Sequence, residues 1–154
     1  MADKGDIKLK FDYSDLFHGL DRYHETVPYA AADAGRKIAH DGLGKMIQAA
    51  PVLTGYLRGS ASAHVNGDFI MAGPPPDEGA QVAVTGEVPQ GKKPSATVIL
   101  FGFNAHYAAR RHELDEPGTR GGGGKYVERV LLENTQRWMQ WISESIARAQ
   151  GYAK

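Results

Sequence analysis

The sequence predicts an α+β domain in which two long helices pack on an antiparallel sheet of about four strands, with long Gly/Pro-rich loops between the elements. Three observations carry that expectation. Two long stretches place apolar residues at helical spacing, several short runs are rich in β-prone residues, and many of the 19 glycines and 8 prolines cluster between Gly73 and Gly124. The clustering marks the loops. At 154 residues the chain has the length of one ordinary domain. We read 1–154 as that domain, with a strand and short helix forming an N-terminal arm over 1–26 and a core over 27–150.

The elements follow in order. Ile7, Leu9 and Phe11 alternate with Lys8 and Lys10, the period of a half-buried strand. Leu16, Phe17, Leu20 and Tyr23 fall at helical spacing after Ser14, a candidate N-cap. Thr26 with Pro28 in the first turn opens a helix expected from Val27 to Ala49. Its apolar stripe is Ala31, Gly35, Ile38, Ala39, Leu43, Met46 and Ala50. Gly35, Gly42 and Gly44 each cost about 1 kcal/mol against Ala in a helix interior, which predicts close approach of another element. Pro51 stops the helix, and Thr54-Gly55 turns the chain into Leu57–Val65, read as a strand.

Phe69–Met71 and Val82–Val88 are short β-prone runs, separated by a segment whose three prolines favour extended, unpaired backbone. Ser95–Phe103 is the strongest strand signal, with Thr97, Val98 and Ile99 β-branched. His106–Leu114 can form a turn or two of helix. From Lys125 to Ala149, Val127, Val130, Leu131, Trp138, Trp141, Ile142, Ser145 and Ala149 follow helical spacing without a Pro or Gly.

Composition excludes several classes of function. The 18 basic and 18 acidic residues balance, so no global field favours nucleic acid or an anionic membrane. With no cysteine there is no disulfide, thiolate metal site or thiol nucleophile, which suits a reducing cytoplasm. No apolar run serves as a signal sequence or a membrane span.

Local motifs for chemistry fail on inspection. Gly86 to Lys92 has the spacing of a phosphate loop, but Lys93 stands where a Ser or Thr is needed and Pro94 leads into a strand instead of a helix. The glycine run before Lys125 opens a helix, but Thr119 replaces the first glycine and Tyr126 follows the lysine. The histidines are His18, His24, His40, His64, His106 and His112, and none forms a helical i, i+4 pair. His112-Glu113 begins like a zinc-protease motif, but Glu116 occupies the second histidine position. Convergence of His106, His112 and Glu113 into the metal site of an enzyme is the alternative reading of another class. Asp115-Glu116 lies in a loop that would hold a carboxylate pair poorly, and no serine sits in a nucleophile elbow. Arg110 and Arg111 beside Tyr107 would suit a nucleic-acid backbone or an ion pair with a protein partner.

Two stretches carry a resemblance. Ala50-Pro-Val-Leu-Thr-Gly-Tyr-Leu-Arg-Gly-Ser60 resembles the signature aP-x-x-T-G-x-L-R-x-S of the small head-to-tail connector, minor capsid and tail-completion proteins of long-tailed bacteriophages. Tyr107-Ala-Ala-Arg-Arg-His-Glu113, followed by Gly124-Lys-Tyr-Val-Glu128, resembles the same family's Y-A-x-x-x-H-E and G-x-K-Y-L-E. Leu53, Val127 and the insertions around Pro74–Pro76 and Gly121–Gly124 depart from the family pattern. The residues that match and carry structural or interface roles are Pro51, Thr54, Gly55, Leu57, Arg58, Tyr107, Ala108, His112, Glu113, Gly124, Lys125 and Tyr126.

The resemblance implies a non-enzymatic virion protein, a tail-completion or neck component that joins head and tail, or one in the adjacent connector or tail-terminator layer. It implies a homo-oligomeric ring, hexameric in preference to dodecameric, docked on neighbouring neck proteins. Packaged DNA would pass through the ring without sequence-specific contact. No catalytic residue, cofactor, metal or membrane is implied, and the location is the virion, reached from the host cytoplasm. The glycine run Gly121–Gly124 and the segment Gly73–Gly79 are expected to be mobile in free subunits and to order on assembly.

Overall fold

The computed structural model describes residues 7–12, 26–52, 55–74, 96–114 and 123–151. Its elements are β1 (Ile7–Asp12), α1 (Thr26–Ala49), α2 (Tyr56–Gly59), β2 (Ala61–Val65), β3 (Asp68–Ala72), β4 (Ala96–Phe103), α3 (Ala108–Glu113) and α4 (Tyr126–Ala149). They form an α+β fold with a four-stranded antiparallel sheet in the order β1-β4-β2-β3. The expected helix after Ser14, the run Val82–Val88, the Gly86–Lys92 turn, Asp115-Glu116 and Thr54 lie outside the described residues.

β4 is the central strand because it is apolar on both faces: seven of its eight residues, all but Val98, are buried. It pairs with β1 from Ile7↔Phe101 to Asp12↔Ala96 and with β2 from Ala61↔Phe103 to Val65↔Ile99. Since β1 and β2 both run antiparallel to β4, they are parallel to each other, and α1 makes the crossover between them. β2 and β3 form a hairpin through Asn66 and Gly67, with φ of 51° and 101°. Two consecutive positive φ values are what a type I′ turn requires, and Asn-Gly supplies them at low cost. The Asn66 side chain also accepts the Val98 amide at 2.9 Å, tying the turn to β4. The register slips between Ala63 and His64, where β3 carries one extra residue.

α1 lies on the sheet face formed by Ala63, Val65, Ile99 and Phe101, and every residue of its predicted stripe is buried. At Gly35 an added Cβ would stand 2.9 Å from the Thr97 methyl, and at Gly42 it would stand 2.8 Å from the Phe101 ring and 3.1 Å from Trp138. Close approach therefore accounts for these two glycines. Gly44 faces open space, so the same account fails there and the helix simply carries its cost.

α4 runs antiparallel to α1. The Trp138 indole N–H donates to Asp41 Oδ2 at 2.8 Å, Lys45 bridges Asp41 and Asn134, and Ser145 donates to the Ala30 carbonyl at 2.9 Å. Trp138 is buried to 1% exposure. Trp141 is only half-buried, with Lys37 4.0 Å and Arg137 4.7 Å from its ring. Ala149 is exposed and lies off the packed stripe.

One expected strand is corrected. Leu57–Val65 is not continuous strand: Tyr56–Gly59 is a turn of helix and β2 begins at Ala61. Helical backbone lets Leu57 enter the core while its neighbour Arg58 turns back to the end of α1. Strand geometry would instead send the two side chains to opposite faces.

Candidate functional site

The first matched stretch builds a corner at the C-terminal end of α1. The last carbonyls of a helix have no partners within it and carry its partial negative charge. Arg58 supplies both a donor fork and a positive charge: Nε and Nη2 donate to the Ala50 carbonyl at 3.0 and 2.8 Å, and Nη2 to that of Gln48 at 3.0 Å. Pro51 is buried just beyond. Gly55 holds φ 79°, the left-handed conformation that starts α2. Ser60 closes that turn, its hydroxyl donating to the Leu57 carbonyl at 2.7 Å.

The second matched stretch joins α3 to the start of α4. Tyr126, 1% exposed, donates its hydroxyl to the Ala108 carbonyl at 3.2 Å and packs edge-on against Phe103 and His112. Burial pushes the Tyr126 hydroxyl well above the ordinary tyrosine range. The Lys125 amide donates to the His112 carbonyl at 2.6 Å, while its ammonium donates to Glu113 Oε2 at 2.5 Å and lies 3.5 Å from Glu128. The Lys125 hydrogen bond, with a second from His112, holds the Glu113 carboxyl below its usual range, and Glu113 in turn raises Lys125. Lys125 itself has φ 54°.

The two stretches, far apart in sequence, meet. The Tyr56 and Tyr107 rings lie 6.2 Å apart. Burial, then the neighbouring Tyr56, raises the Tyr107 hydroxyl above its ordinary value. Gly123 donates its amide to the Ala49 carbonyl at 3.3 Å. Gln48 and Ala50 thus receive donors from Arg58, and Ala49 from Gly123, the residue that precedes the second stretch's Gly124, so the end of α1 is the hub of one joint. Of the matched residues, all but Thr54 are described, and all of these lie in this joint.

Three features were not anticipated. Gly73 donates its amide to Ala61, and an added Cβ would fall 1.8 Å from the Arg58 carbonyl, so Gly73 packs directly against the corner. Gly123 is hydrogen-bonded and Gly124 is buried; residues 75–79, Gly121 and Gly122 lie outside the described residues. His64, buried on the sheet face away from α1, has neither ring nitrogen hydrogen-bonded among the described residues.

His106 and His112 do not converge on a shared centre. His106 packs its ring against Tyr107, whereas His112 Nδ1 lies 3.1 Å from Glu113 Oε1 and its Nε2 faces the Glu128 amide at 3.5 Å. Both ring nitrogens of His112 are thus engaged within the joint. Among the described residues no group of three His, Asp or Glu side chains is placed to hold a metal ion, and no helix is long and apolar enough to cross a membrane. No family model matches the chain, and no curated protein or solved structure matches it.

Proposed function

We propose that the protein is a structural virion component of a tailed phage, a tail-completion or neck protein whose ring joins head and tail. The observation that supports this reading is that the two stretches resembling the connector family close on a single joint at the end of α1. There they act as shape-determining contacts: a helix cap, a left-handed turn, a buried tyrosine and an ion-paired clamp. Such a joint fixes the angle between α1, the sheet and α4, and a ring that must close needs a subunit of fixed shape. In this reading neighbouring subunits bury complementary patches in a head-to-tail contact, and adjacent rings dock above and below. A place in the neighbouring connector or tail-terminator layer uses the same geometry.

The test is deletion of the reading frame from the phage genome that carries it. The expected result is DNA-filled heads and separate tails, or tails of altered length, with lysis unaffected. Normal infectious particles would overturn the proposal.

A further inference from the structure

We draw no further inference here: the strongest candidate, the buried imidazole of His64 beside the half-exposed Phe69 on the sheet face away from α1, has both ring nitrogens without hydrogen-bond partners among the described residues, but nothing in the structure shows what covers that face.

Discussion

Arg58 closes the C-terminal end of α1 by donating two hydrogen bonds, 3.0 and 2.8 Å long, to the carbonyl of Ala50. The guanidinium sits where the helix exposes its negative pole, so hydrogen bonding and charge act together. Replacing it with Ala leaves these carbonyls to water and removes the positive charge, at a cost of about 1–3 kcal/mol. Arg58→Lys keeps the charge but loses the rigid fork, and is expected to fall between wild type and Arg58→Ala. Denaturant unfolding of the two variants checks the order, and equal stability of all three proteins would remove Arg58 from the joint.

The glycines of α1 separate by what surrounds them. Gly44→Ala adds a methyl into open space and removes the conformational cost of glycine, so it should stabilise the fold by about 0.5–1 kcal/mol. Gly42→Ala gains the same propensity but drives its methyl into the Phe101 ring, which is itself 1% exposed and has no room to retreat. Net destabilisation of about 1–3 kcal/mol is expected. Thermal melts of the pair should move in opposite directions.

Backbone conformation at Gly55 and close approach at Gly73 each call for a glycine. At Gly55, with φ 79°, a β-branched side chain is strained, so Gly55→Val should cost about 1–3 kcal/mol and lower soluble yield. At Gly73 the obstruction is the backbone carbonyl of Arg58 itself, which no rotamer change can move. Gly73→Ala should therefore displace β3 from the corner and lower the melting temperature. An unchanged melting temperature in either variant would show that the chain takes another path there.

How much of this was legible in the sequence differs from element to element. The stripe of α1, the buried stretch of β4 and the helical spacing of α4 are each set by a local period, and the structure buries the α1 stripe, all of β4 but Val98, and Val127, Val130 and Trp138 of α4, while Leu131, Trp141 and Ile142 are half-buried and Ala149 is exposed. Leu57–Arg58 forms a turn of helix where the local pattern predicts strand, because the decisive partner of Arg58 is the end of another helix, which a local pattern does not contain. The Gly123 amide on Ala49 is a tertiary contact of the same kind, and composition alone reads a glycine run as loose chain. The Asn66-Gly67 hairpin was within reach of sequence reasoning, since that dipeptide between two β-prone runs is a turn signal by itself. The joint as a whole is a property of the fold, since its members lie far apart in sequence and meet only at the end of α1.

The clamp between α3 and α4 should depend on pH at both ends of the scale. Glu113 is held below its ordinary value of 4.5, chiefly by the Lys125 hydrogen bond. Its contribution is therefore present above the unfolded carboxylate range and lost as pH falls through the lower, folded value. Lys125 is raised above its ordinary 10.5 by Glu113, so its contribution is present below the unfolded lysine range and lost as pH rises through the higher, folded value. Both groups are exposed, and the effect should shrink with added salt. Comparing the pH dependence of unfolding in wild type and Glu113→Gln isolates the acid limb. An unchanged profile in the variant would assign that limb to other carboxylates, foremost Asp41, where hydrogen bonds from Lys45 and Trp138 and the charges of Lys45 and Arg137 outweigh the upward push of burial.

Hydrogen exchange can test whether the joint is already closed before any assembly. The Gly123 amide is bonded to Ala49 and the Lys125 amide to His112, so both should exchange slowly in dispersed subunits, although they follow a run of glycines. Exchange from such positions requires the joint to open, and its rate reports that local free energy. Arg58→Ala weakens the same helix end from the other side. It should therefore speed exchange at Gly123 more than at amides near the middle of α4, such as Trp138. Rapid exchange at Gly123 and Lys125 in the wild-type subunit would mean that the joint forms only when neighbouring subunits hold it. Uniform acceleration across α4 in the variant would point instead to a general loss of stability with no special coupling through the end of α1.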